Sequence, residues 1–526
     1  MSFSFFKKLK ADEWFDYCTL ALMLVGMLLF RTLCFWALIC LLIRVLLIGK
    51  IEEKRQKLKE NIIVLSVLLS LFVLHVVGLL WTDNLQTGWL ELYHKIAFLV
   101  IPLGVCIISP LKKNTLRWLF YCYIAAIFVG TVIGITRYLT QDFPDMRTLI
   151  PYASNIRFAV NICFAIAVMS IIIYRKRQFK VTLLLFPFIF WFVFYMVITQ
   201  SVTGICILCV LAGVSLIYLC FKNRNKISLI ISGILLLLLL GFTFWTAQEA
   251  ISYFNFQQID NKPLQMHTIN GNPYNAFAND NFIENGHYVN QYVCMEELER
   301  AWRQRTGLNI DNLSQGTEGH FAYRDLLVRY LNSRWLTKDS AGIMALSCQD
   351  IENVKAGFAN VAYVEKFSLR PRLYKTFFEF ERYWHEGYVK DGSLVKRIEL
   401  CKNAAAVIKD YPVAGVGTGD ANDVMNAYLS KKNNRNQFNT HDPHNYFFFI
   451  GVEFGMMGIA VLGLFLIYPP IRQKVWHDAL FVSFFVISIC AMLIESSFNL
   501  FSGMIFHCLF ACLLLFNLQT NQKFND

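Results

Sequence analysis

Charge is scarce in this sequence. Asp, Glu, Lys and Arg make up only 16% of the 526 residues, against 56% hydrophobic, and the charges are gathered between apolar runs of about 20 residues, the length that crosses a hydrocarbon core. That pattern excludes a water-soluble chain over most of its length and reads as a polytopic membrane protein. Internal repeats and low-complexity tracts are absent as well. No small-residue cleavage site follows the basic start, so the first apolar segment reads as a retained helix rather than a removed signal peptide. Cysteine is present, 15 in all, but not as a framework. Most cysteines fall inside apolar runs, including the Cys206–Cys209 pair with its CxxC spacing, where they act as small hydrophobes. Only Cys294, Cys348 and Cys401 lie in a polar stretch, where one disulfide is chemically permitted in an oxidising compartment and its pairing stays open.

The apolar runs predict about twelve transmembrane helices, near 14–30, 32–48, 61–81, 93–109, 115–138, 157–174, 181–200, 202–221, 227–247, 444–468, 478–497 and 499–517. Lys7, Lys8 and Lys10 precede the first, and every second connection is again basic: 50–59, 112–113, 175–180, 222–226 and 472–474. Short loops that stay in the cytoplasm retain Lys and Arg, so both termini are expected there. The net charge of +12 follows from this inside-positive pattern and needs no nucleic acid. The expected organisation is nine helices in 1–247, an external domain over 248–443, and three helices with a short tail in 444–526. Within the external part, three- and four-residue apolar spacing predicts helices at 295–305, 321–331, 373–384 and 395–408, whereas 255–290, rich in Asn, Gly and Pro, reads as irregular. The expected fold is all-α.

Three groups of residues carry chemistry. The run Asn439-Thr440-His441-Asp442-Pro443-His444-Asn445-Tyr446 closes the long polar segment where a hydrophobic one begins. Its imidazoles meet water at the membrane edge, where they are able to exchange protons with a lipid-borne substrate. The plainer role is a helix cap, with Asp442 and Asn445 satisfying backbone groups. The second group, Tyr411 to Asp420, holds Gly415, Gly417 and Gly419. Its amides suit a tight turn or a cradle for phosphate or glycan. It lacks GxGxxG spacing and follows a helix rather than a strand, which argues against a dinucleotide site.

The third group is arginine on the external side, against the inside-positive trend: Arg137, Arg147 and Arg157 near the sixth span, and Arg372, Arg382 and Arg397 in the large loop. Each is either a snorkelling anchor or a ligand for an anion. His441, Asp442 and His444 make a partial ligand set without a third and fourth member, so no metal site is expected. Glu453, Glu495, His75 and His507 lie within or at the ends of spans, each of them a buried hydrogen-bonding residue or a helix pin.

Arg397, the following helix, Pro412-Val413-Ala414-Gly415-Val416-Gly417-Thr418-Gly419-Asp420, then His444-Asn445-Tyr446 and Glu453-Phe454-Gly455-Met456-Met457-Gly458 occur in an order that resembles the O-antigen ligase and polymerase superfamily. Residues 285–395, with Arg329-Tyr330-Leu331 and Arg372-Leu373-Tyr374, resemble the loop of a Bacteroidetes-type branch. The resemblance implies a cofactor-free, metal-independent glycosyltransferase of the GT-C type on the outer face of the bacterial inner membrane. It also implies a glycan on undecaprenyl pyrophosphate as donor, and lipid A-core or another glycolipid as acceptor. The family's essential histidine maps to His444, and its essential arginines map to Arg157 and Arg397. Residue chemistry agrees: an acceptor hydroxyl needs a base as it attacks the anomeric carbon, and a departing pyrophosphate needs guanidinium forks. Arg147 is expected to assist with the pyrophosphate; Arg372, His441, Gly417, Gly419, Asn445 and Glu453 complete the expected binding set. Polymerisation and protein O-glycosylation use the same donor. A transporter is the alternative of another class, but paired broken helices in matching halves are missing.

Overall fold

The structure, a computed structural model, describes residues 10–140, 149, 154–222, 226–254, 266–275, 282–314, 321–365, 367–389, 393–431 and 442–522. Arg147 and His441 lie outside these residues. Among the described residues the regular elements of the first half are all helices: α1 (Ala11–Leu29), α2 (Arg31–Leu46), α3 (Ile51–Glu60), α4 (Ile62–Gly78), α5 (Leu85–His94), α6 (Ala97–Ile108), α7 (Lys113–Thr140), α8 (Asn155–Lys176), α9 (Phe179–Ile198), α10 (Val202–Lys222) and α11 (Lys226–Phe254). A two-residue-strand hairpin follows, β1 (Ile283–Glu284) and β2 (His287–Tyr288), turning on Asn285-Gly286. Next come α12 (Met295–Thr306), α13 (Tyr323–Ser333), α14 (Ser340–Ala345), α15 (Cys348–Lys355), α16 (Arg370–Glu386), α17 (Ser393–Asp410) and α18 (Ala421–Lys431). The chain ends with α19 (Tyr446–Arg472), α20 (Ala479–Ile494) and α21 (Phe501–Gln522).

Among the described residues seven helical spans are long and apolar enough to cross a membrane, or up to eight if the pair α2 and α3, bent by 103°, is one span. The chain is a multi-pass membrane protein. The difference from twelve has local causes. Helix α1 carries Asp12, Glu13 and Asp16, and α4, α20 and the apolar part of α10 (Val202–Tyr218) are short. The fourth span is one of the seven but is broken: α5 and α6 together cover Leu85–Ile108, interrupted at Lys95-Ile96.

One apolar core joins the spans other than α11, with α4 against α19, α6 against α21 and α8 against α20. Helices α17 and α18 belong to this core through Leu400, Ala404, Val407, Met425 and Leu429. The remainder of the polar stretch has its own core, centred on Trp302, Leu327, Tyr330, Leu331 and Ile343. A small cluster of Tyr253, Ala362 and Tyr374 lies between α11 and α16. The helices expected from periodicity in this stretch are all present, each extending one to three residues beyond at least one expected end. Cys294, Cys348 and Cys401 are free thiols.

Candidate active site at the turn after α20

Helix α20 ends at Ile494, and like any helix it leaves its last carbonyls without partners in its own ladder. Two residues from distant parts of the chain satisfy them. Asn445 Nδ2 donates to Leu493 O at 3.1 Å, and Arg397 Nη1 donates to Ile494 O at 2.9 Å. Asn445 also caps the start of α19, its side-chain oxygen accepting from Phe447 N and Phe448 N at 3.0 and 3.2 Å. Such a cap contributes about 1 kcal/mol. One asparagine thus ties the beginning of α19 to the end of α20.

The next residues extend the knot. Glu495 stands 3.8 Å from Arg157 Nε and within electrostatic reach of Arg397 and Asp442. Ser496 Oγ donates to Asp442 Oδ1, and the same carboxylate oxygen accepts from His444 N at 2.7 Å. Arg157 projects from the first turn of α8. Its Nε donates to Ser154 Oγ at 2.9 Å and its Nη1 to Ser502 Oγ, on α21, at 2.7 Å. Arg157, Arg397, Asp442, His444 and Glu495, drawn from four chain segments, therefore meet at the turn 494–502.

His444 has φ of 52°, the left-handed region that a residue with a side chain adopts at a cost of order 1 kcal/mol and that recurs at functional sites. The Asp442 carboxylate holds that conformation through the amide. Burial lowers the imidazole's pKa below its ordinary 6.5; the Asp442 carboxylate opposes this and the Arg397 guanidinium adds to it. A neutral imidazole able to accept a proton near pH 7 results.

The glycine run is built differently. Val416 N and Gly417 N donate to Val452 O and Glu453 O at 3.0 and 2.8 Å, and Thr418 N donates to Gly78 O at 3.3 Å. In return Met456 N and Met457 N donate to Pro412 O and Val413 O at 2.8 and 3.1 Å. Helix α19 is broken at Gly455, φ 57° and ψ −146°, and Pro412 to Thr418 fill the break. A β-carbon on Gly455 would run into the Pro412 and Val413 carbonyls, and one on Gly415 into the Glu453 backbone, so glycine is required at both. The amides of Val416, Gly417 and Thr418, which the sequence offered for phosphate, are committed to protein carbonyls. Gly417 and Gly419 pack against Trp81 and Gly88, and Asp420 accepts from Asp83 N and Asn84 N at 2.7 and 2.9 Å. The run clips α4 and α5 to α19.

Glu453, seven residues into α19, is fully buried beside His75. Arg372 Nη2 donates to Ser393 Oγ at 2.6 Å, linking the first turn of α16 to the first residue of α17. Glu495 was visible in the sequence as a charge near the end of an apolar run. Ser496 and Ser502, the partners of Asp442 and Arg157, were not.

Residues 345–463 match the family model described as O-Antigen ligase. This segment belongs to the O-antigen ligase superfamily. The family implies a glycosyltransferase-like enzyme, and the matched segment holds Arg372, Arg397, the glycine clip, His444, Asn445 and Glu453. Arg157 and the turn 494–502 lie outside it and are joined to it by the contacts described above. No curated protein matches the chain.

Proposed function

We propose that this protein is a GT-C-type glycosyltransferase. It transfers a glycan from undecaprenyl pyrophosphate to lipid A-core or a similar glycolipid at the outer face of the bacterial inner membrane. The observation that carries the reading is the convergence of Arg157, Arg397 and the Asp442-anchored His444 on one turn at one end of the helical bundle. His444 accepts the acceptor hydroxyl's proton as that oxygen attacks the anomeric carbon. Arg157 and Arg397, with Arg147, take up the charge of the departing pyrophosphate. Arg372, His441, Asn445, Gly417, Gly419 and Glu453 are assigned to binding and support, the last four through the backbone they hold. Attack opposite the leaving group inverts the anomeric centre, and no metal takes part.

Twelve spans with cytoplasmic termini and a periplasmic domain are part of the proposal. Helices α8 and α20 run antiparallel, with Arg157 and Glu495 at one pair of ends and Arg175 paired to Asp478 at 2.8 Å at the other. The basic ends thus lie opposite the candidate site, as inside-positive topology requires.

The test is transfer from purified undecaprenyl-pyrophosphate glycan in detergent, with EDTA and defined glycolipid acceptors. Product made by the wild type and not by His444→Ala supports the reading, and activity without a sealed compartment excludes obligatory transport. Equal product from both proteins removes His444 as the base, and retention at the anomeric carbon overturns the single displacement. Growth of one lipid-linked chain on another in place of glycolipid modification assigns the same site to polymerisation.

A further inference from the structure

Lys95 takes no part in that scheme. It sits where the fourth span is broken between α5 and α6, and it is 1% exposed. An ammonium inside an apolar bundle is costly unless it is partnered, and an ionisable residue retained there points to function. Its Nζ donates to Asn499 Oδ1 at 2.7 Å and to Phe498 O at 3.2 Å and lies over the Phe449 ring at 5.7 Å. Glu453, Glu91 and Asp442 are within its electrostatic reach.

The neighbouring groups balance it. His75 Nδ1 lies 2.7 Å from Leu71 O, and since a carbonyl only accepts, Nδ1 carries the hydrogen. The other ring nitrogen then faces Glu453 Oε2 at 3.5 Å, and the Glu453 carboxyl faces that of Glu91. One proton shared among Glu91, Glu453 and His75 leaves this group, together with the Lys95 ammonium, electrically neutral.

What Lys95 grips is the 3₁₀ turn Ser497–Asn499. The two residues before that turn are Glu495, which faces Arg157, and Ser496, which holds the Asp442 carboxylate under His444. We propose that Lys95 is a positioning residue for the candidate site, acting through Phe498 and Asn499 on Glu495 and Ser496 and so on Arg157 and His444. The inference rests on the glycosyl-transfer reading for its effect on rate but not for its effect on geometry.

Two variants separate the ammonium from mere charge balance. Glu91→Gln keeps Lys95 opposite Glu453, whereas Lys95→Met combined with Glu91→Gln removes the cation and leaves a neutral Glu453. Both keep the buried group uncharged. The expected result is near-wild-type transfer by Glu91→Gln. The double variant should lose about 10- to 100-fold in kcat, the size typical of an outer-layer partner, with acceptor KM and unfolding temperature matching Glu91→Gln. Equal kcat for the two proteins overturns the proposal.

A second readout needs no turnover: the rate at which diethyl pyrocarbonate modifies His444, followed by peptide mass. It should change severalfold in the double variant and not in Glu91→Gln, and an unchanged rate overturns the proposal. If wild type transfers no glycan, the functional reading fails while this readout still decides the positioning. Should the double variant not fold, Asn499→Ala removes the ammonium's side-chain acceptor with the charges intact. It must alter kcat and His444 reactivity in the same direction for the proposal to stand.

Discussion

The turn after α20 and the unit around Trp302 treat charge in opposite ways. In the latter, two buried carboxylates are saturated. Glu297 accepts from Thr268, Asn272 and Ser340 hydroxyl and amide groups at 2.6 to 2.7 Å and from Asn270 at 3.1 Å. Burial raises its pKa, but the hydrogen bonds from Ser340, Thr268 and Asn272 outweigh burial and bring it to about 2. Asp350, held by Tyr330, Arg334 and Ser347, also ends at about 2 against the same burial effect. At the turn, by contrast, Arg157 stands 3.8 Å from Glu495 and His444 is kept in a strained backbone conformation. A saturated network stabilises, because breaking it strands buried donors. An ion pair 3.8 Å apart is not a direct hydrogen bond, and a substrate's charge is able to compete for it.

That contrast predicts a separation of effects. The largest is at His444, where alanine should lower transfer by about 10²- to 10⁴-fold while the unfolding temperature holds; a parallel loss of stability would erase the distinction. Next, Arg157→Ala or Arg397→Ala should raise the donor KM by about 10- to 100-fold, as expected for a lost charged hydrogen bond. Wild-type rates at limiting donor would remove the pyrophosphate assignment. In the unit around Trp302 the pattern reverses. Glu297→Ala should cost about 2–4 kcal/mol of local stability, read as faster hydrogen exchange in α12 and α14, with transfer per folded molecule unchanged.

Two smaller effects concern pH. The active His444 is neutral, and its pKa lies below 6.5, so kcat should be level at neutral pH and fall only on acidification past that ordinary value. Arg397 holds the pKa down and Asp442 holds it up. The acid limb should therefore move to higher pH in Arg397→Gln and to lower pH in Asp442→Asn; no movement in either would place these charges elsewhere.

The smallest effect sharpens the Trp302 side of the contrast, because Lys338 is the exception there. It is 4% exposed, donates to Asn332 Oδ1 at 2.9 Å, and is pushed down by burial from 10.5 to about 8. The fold disfavours its charged form, so that penalty is complete below pH 8 and is relieved as pH rises toward 10.5. Thermal stability of this unit should rise over that window in wild type and stay flat in Lys338→Met.

Much of the architecture was legible because it is local. Apolar length marks spans and three- and four-residue spacing marks helices, so α12, α13, α16 and α17 were placed within a few residues. The break between α5 and α6 was not legible: a lone lysine in an apolar run gives no sign of what receives its ammonium. Asn445 was legible as a cap for α19, but its second bond, to the end of α20, was not. The glycine run was read as a turn or a phosphate cradle, and choosing between them required the carbonyls of α4 and α19 that its amides reach.

By itself the sequence determined the membrane class, the alternation of basic connections and the identity of the chemical groups, since hydropathy, charge and side-chain type belong to each residue wherever it lies. Only the tertiary structure decided which groups meet. Arg157 reaches Ser502 across 345 positions and Lys95 reaches Asn499 across 404, and contacts at such separation arise from how α8, α19, α20 and α21 pack, not from any local pattern.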